Sequence, residues 1–98
     1  MIIRLVKLSF QTSSVPEFLE FFKTIEGKIQ QFQGCSKLKL YQDLNNSDIF
    51  YTYSEWNSVE DLEFYRNSTF FKSTWAKTKI LFIAPAEATT MAELVNKL

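Results

Sequence analysis

Ninety-eight residues suffice for one small domain with a thin core, and 46% hydrophobic content with only 2 Gly and 2 Pro excludes a disordered or loop-dominated chain. Eleven basic and eleven acidic residues cancel and are interspersed, which gives neither a nucleic acid nor a membrane surface an electrostatic hold. The absence of histidine removes Ser-His-Asp and Cys-His nucleophilic sites, the common zinc sites and a histidine axial ligand to haem, so no metal site is expected.

The opening MIIRLVKLSF is too short and too charged for a secretory leader, and no apolar run approaches the ~18–20 residues of a membrane span. The lone Cys35 has no internal disulfide partner, which agrees with a reducing compartment, and cytoplasmic location is the default expectation. At 16% aromatic content, with 10 Phe, the chain carries more apolar surface than one sheet and a few helices hide. A partner interface or a lined pocket is expected to absorb the surplus.

Residues 2–10 read as a strand in which Ile2, Arg4, Val6, Leu8 and Phe10 share one face, and Ile3, Leu5, Lys7 and Ser9 the other. A helix follows. Ser14 and Glu17 have capping-box spacing, Pro16 suits the first turn, and Phe18, Phe22, Ile25, Ile29 and Phe32 recur at 4, 3, 4, 3 spacing along one stripe, closed by Gly34 as a C-cap. That stripe needs no reason beyond a core. Residues 35–42 alternate as a strand, 43–48 carry a hairpin turn signal, and 49–56 form a β-branched and aromatic strand. In the latter, Ile49, Tyr51, Tyr53 and Glu55 face one way, and Phe50, Thr52, Ser54 and Trp56 the other.

Asn57 or Ser58 is placed to cap a helix over 58–66 with Val59, Leu62 and Tyr65 inward. Ser68 is placed to cap a further helical stretch carrying Phe71, Trp75 and Phe82 on one side, stopped by Pro85, and a last strand is expected over roughly 86–94. The order strand, helix, strand, strand, helix, strand predicts an α+β, ferredoxin-like βαββαβ domain spanning 1–98, with a four-stranded antiparallel sheet covered by helices on one face. The uncovered face needs a partner, and a homodimer pairing sheet to sheet is the economical one.

The run Tyr53-Ser54-Glu55-Trp56-Asn57-Ser58-Val59-Glu60-Asp61-Leu62, then Tyr65-Arg66-Asn67-Ser68, Phe71, Trp75, Lys77-Thr78-Lys79 and Phe82, with the opening strand, long helix and Gly34-Cys35 step, resembles the antibiotic biosynthesis monooxygenase (ABM) family over nearly the whole chain. The resemblance implies a dimeric α+β barrel with a pocket between sheet and helices in each subunit. It further implies, as one activity in the family, cofactor-independent oxygenation of anthrones or quinols, in which the substrate supplies the electrons and no cofactor is needed. The haem-degrading branch carries an aromatic-x-x-Ser-x-x-Phe-x-x-x-His run, which maps onto Tyr65, Ser68 and Phe71 and puts Trp75 where the haem-binding histidine stands. An indole N–H cannot ligate iron, so haem degradation is disfavoured.

Tyr65, Trp75 and Asn57 are the candidate catalytic residues, and Trp56, Phe71, Tyr53 and Tyr51 the candidate substrate-binding ones; the resemblance marks Tyr65, Phe71 and Trp75, and side-chain chemistry the others. Each also has a structural explanation. Trp56 and Trp75 can stack a planar substrate or pack the core or a dimer contact, Asn57 is explained as a helix cap, and the tyrosines either donate to a substrate oxygen or pack. Glu55, a carboxylate on an aromatic strand face, is a conceivable base or a solvated strand end. Arg66 is placed to pair with an anionic substrate or with a surface carboxylate, and Cys35, lacking a base to activate it, reads as a small buried apolar group. Two functions follow: a cofactor-independent monooxygenase acting on a small aromatic or quinol-like compound, or a non-catalytic small-molecule-binding or structural dimer of the same fold.

Overall fold

The computed structural model describes residues 1–94. Its elements are β1 (Ile2–Phe10), α1 (Val15–Gln30), β2 (Cys35–Gln42), β3 (Ile49–Trp56), α2 (Val59–Arg66), α3 (Thr69–Lys79) and β4 (Phe82–Ala92). The strands form one antiparallel sheet in the order β2-β3-β1-β4, the ferredoxin-like arrangement the pattern predicts. The expected single domain over 1–98 extends to residues 95–98, which lie outside the described residues.

Register decides which side chains meet. Leu8 pairs with Phe50, Val6 with Thr52 and Arg4 with Ser54, and these point toward the helices. Leu5 pairs with Tyr53 and Lys7 with Tyr51, which places the two strand tyrosines on the opposite, open face. The core fills the space between sheet and helices. Phe10 has no exposure and stacks on Phe18 at 4.2 Å, with Phe50 and Phe82 against its other edges. Phe22 and Ile29 continue the α1 stripe into the same cluster.

Several expectations need correction. Ser14 does not act as a capping box: its backbone is near-helical (φ −95°, ψ −7°), its side chain makes no cap bond, and the chain enters α1 through a 3₁₀ turn at Thr12–Ser14. The turn closes with the Ser14 N–H donating to the Gln11 carbonyl, so the backbone itself supplies the entry. Phe82 is not helical. Helix α3 ends at Lys79, and β4 begins at Phe82, four residues earlier than expected, because Pro85 sits inside the strand instead of before it. Strand β4 is a sheet edge, and its pairing with β1 shifts register between Lys7 and Ser9, beside Pro85; at such a position a missing N–H is tolerated. The strand also ends at Ala92, short of 94.

Helix α1 stops at Gln30 with Gln31 as its C-cap, so Phe32 lies beyond the helix and Gly34 shapes the turn into β2 instead of capping α1. Val59 is exposed and does not turn inward with Leu62 and Tyr65. The starts of α2 and α3 follow the sequence. Ser58, rather than Asn57, caps α2 by accepting from the Asp61 N–H at 3.1 Å, and Ser68 caps α3 by accepting from the Phe71 N–H at 3.0 Å. In the β2–β3 hairpin Asp43 Oδ1 accepts from the N–H groups of Asn45 and Asn46. Gly34 takes φ +84°, and an added Cβ there would run into the Asp61 side chain. Gly34→Ala is therefore expected to cost about 1–2 kcal/mol from the left-handed backbone alone. A lower urea midpoint at unchanged m-value would register it, and an unaltered midpoint would contradict it.

Candidate functional site: an aromatic cavity between sheet and helices

A cavity of about 250 Å³ lies on the helix-covered face of the sheet. Its floor is the strand face that alternation assigns inward: Arg4, Val6 and Leu8 from β1, Thr52, Ser54 and Trp56 from β3, and Ala86 and Ala88 from β4. Small side chains on β4 leave space that larger ones would fill. The roof comes from α1, through Phe18, Phe22, Ile25 and Ile29, and from α2 and α3, through Leu62, Tyr65, Arg66, Phe71, Thr74, Trp75 and Thr78.

One wall is a relay of rings. Trp56 stacks on Tyr65 at 5.0 Å and 24°, Tyr65 meets Phe71 edge-on at 5.1 Å, Phe71 lies parallel to Trp75 at 6.0 Å and 9°, and Trp75 meets Phe82 edge-on at 5.6 Å. The wall follows from local sequence. Ser58 starts α2 so that Leu62 and Tyr65 turn inward, and Ser68 starts α3 so that Phe71 and Trp75, four apart, share one side. Trp56 is almost wholly buried and donates its indole N–H to Ser54 Oγ at 2.9 Å, whereas Trp75 is half-buried.

The sequence candidates therefore divide. Trp56, Tyr65, Phe71 and Trp75 come together around the cavity. Asn57 does not line it: the residue is exposed in the β3–α2 turn, where its N–H donates to the Gly34 carbonyl at 2.8 Å. Tyr51 and Tyr53 lie on the open face of the sheet, where Tyr53 donates its hydroxyl to Glu55 Oε2 at 2.7 Å. The hydrogen bond to Glu55 raises the Tyr53 pKa, and the same register holds Glu55 on the open face, away from the cavity. The alternation of β3 forces this split, since Trp56 and its neighbours two residues apart cannot share a face with Tyr53.

Tyr65 cannot serve as a base at neutral pH. Burial, with the nearby Cys35 thiol adding to it, pushes its pKa well above the tyrosine range, so it remains a hydrogen-bond donor. Burial also raises the Cys35 thiol, which keeps it protonated and unreactive. Unfolded Tyr65 ionises near the ordinary 10.0, while the folded chain retains that proton to higher pH. Its contribution to stability is then complete below 10.0 and declines as pH rises beyond it. Tyr65→Phe is expected to flatten the alkaline fall of the urea midpoint, and equal slopes in the two proteins would refute the assignment.

Two arginines complete the lining, and their proximity was the signal the sequence carried least clearly. Arg4 is the only polar residue on an otherwise apolar strand face, and its Nη1 donates to Thr90 Oγ1 at 2.7 Å. Arg66 at the end of α2 donates from Nη1 to Glu63 Oε2 at 3.0 Å. Its Nε is shut off from solvent without a hydrogen-bond acceptor among the described residues, an arrangement that costs about 1–3 kcal/mol.

A four-stranded antiparallel sheet with an aromatic cavity beneath its helices defines a ferredoxin-like α+β class of domain. The chain belongs to the antibiotic biosynthesis monooxygenase family, whose model matches residues 1–77. Solved structures share the fold. A conserved protein from Methanosarcina mazei Go1 is 23% identical, with a TM-score of 0.89 over 96% of this chain and 94% of that one. Rv0793 from Mycobacterium tuberculosis is 15% identical, with a TM-score of 0.88 over 97% and 96%. A further structure described as an antibiotic biosynthesis monooxygenase is 14% identical, with a TM-score of 0.88 over 96% and 99%. No curated protein matches the sequence.

Proposed function

We propose that the chain is a cofactor-independent monooxygenase acting on a small, flat aromatic or quinol-like compound. The observation that carries this reading is the cavity walled by Trp56, Tyr65, Phe71 and Trp75, which offers stacking surfaces to a planar guest. Family membership supports an oxygenation of this kind. In the reaction on an anthrone, the ring methylene becomes a carbonyl: one oxygen atom of O₂ is retained, the other leaves as water, and the substrate provides all the electrons. Tyr65 donates a hydrogen bond to a substrate oxygen, Trp75 and Phe71 hold the ring, and Trp56 backs Tyr65.

The working unit in this reading is a cytoplasmic homodimer joined through the open sheet face. That face presents Ile3, Leu5, Tyr51 and Tyr53 among charged neighbours, and apolar side chains so placed favour a partner. Among the described residues no helix is long and apolar enough to cross a membrane.

Oxygen consumption over a panel of hydroquinones and anthrones tests the activity. A protein-dependent rate above autoxidation is expected for at least one of them. A second reading, a non-catalytic small-molecule-binding dimer, draws support from the lining itself: among the described residues no carboxylate lines the cavity, and Tyr65 stays protonated. Saturable binding of the same compounds with oxygen uptake equal to background would decide for that alternative.

A further inference from the structure

We propose that the ligand of this cavity is an aromatic carboxylate, its ring held among the aromatic side chains and its carboxylate by the guanidinium groups of Arg4 and Arg66. The proposal rests on the small-molecule reading of the same cavity and narrows the ligand to an anionic class.

Charge count is the first argument. Arg4 and Arg66 both line the cavity, while Glu63 is the only acidic side chain paired with either among the described residues. Arg4 is anchored on Thr90, which is neutral, and forms no ion pair among the described residues. One positive charge thus stands unneutralised beside a mostly apolar lining, and it attracts an arriving anion.

The state of each guanidinium points the same way. Burial and the Arg66 cation both lower the Arg4 pKa, with Glu63 opposing, so the two cations lie within each other's field. An anion between them relieves that repulsion. Arg66 is fixed through Nη1 alone, and its side chain is 38% exposed, so the group can pivot on the Glu63 contact and offer its acceptorless Nε–H to a ligand oxygen. The planar guanidinium fork matches a planar carboxylate in a way an ammonium would not.

Calorimetric titration with 1-naphthoate and its neutral isostere 1-naphthamide separates the charge from the ring. The wild-type chain is expected to bind the carboxylate on the order of tenfold or more tightly than the amide. Arg4→Gln and Arg66→Gln should each lower the naphthoate affinity by more than the amide affinity, and so erode that preference. Glu63→Gln, which removes the competing carboxylate and keeps both arginines, should strengthen naphthoate binding severalfold, a gain that a misfolded variant cannot mimic. Equal affinities for the two ligands in the wild-type chain, or a preference that survives in both arginine variants, would overturn the proposal and leave the aromatic cavity reading intact. Failure of both ligands to bind would overturn the proposal and the small-molecule reading together.

Discussion

Trp56→Ala is expected to destabilise the domain by about 3–5 kcal/mol, the usual cost of deleting a buried large aromatic. Trp56 is 1% exposed, stacks on Tyr65 and donates to Ser54 Oγ, so truncation loses packing area, a ring contact and a hydrogen-bond partner together. Ser54, itself buried, loses its donor, and the void opens directly into the cavity. Domains of this size have only about 5–15 kcal/mol in hand, so a substantial unfolded fraction near physiological temperature is anticipated. Chemical denaturation measures the loss, and a change below about 1 kcal/mol would mean that the wall relaxes around the missing ring.

Trp75→Ala should behave in the opposite sense, with mild effects on stability and large ones on ligand handling. Trp75 is half-buried and touches Phe71 and Phe82 on the cavity wall without anchoring the central cluster. Removing its indole takes away a stacking surface worth about 0.5–1.5 kcal/mol beyond its area, so oxygen uptake or ligand affinity is expected to fall on the order of tenfold. The denaturation midpoint should move far less than for Trp56→Ala. Unchanged uptake and affinity in a folded Trp75→Ala protein would remove Trp75 from the site.

Local pattern made most of this legible. Period-two alternation in β1 and β3 sorts side chains to the faces they occupy, which is why Tyr53 and Trp56 point in opposite directions. Helical spacing did the same for Phe18, Phe22 and Ile29. What failed was punctuation. Pro85 is a strong stop in a helix and an acceptable residue on an edge strand, and only the pairing of β4 with β1 distinguishes the two. Ser14 carried the capping spacing, yet the backbone turn after Gln11 supplied the entry instead.

Of the site candidates, Tyr65, Phe71 and Trp75 lie on inward helix faces beside the cavity, whereas Asn57, Tyr51 and Tyr53 lie away from it. Being near the motif along the chain does not orient a side chain, and the pleat of β3 turns two of these three away. Arg4 stood in plain view as the odd polar residue on an apolar face. Its meaning depended on Arg66, which is 62 positions later and meets it only once α2 folds over the sheet.

The interrupted pairing beside Pro85 has a bearing on solubility. Strands β2 and β4 are the two margins of the sheet, and an unguarded margin recruits further strands into open-ended aggregates. Proline and a register slip roughen one margin, and Lys37 and Lys39 put charge on the other. A chain so rich in phenylalanine is thereby protected against fibrillar stacking along the directions in which its backbone is least satisfied.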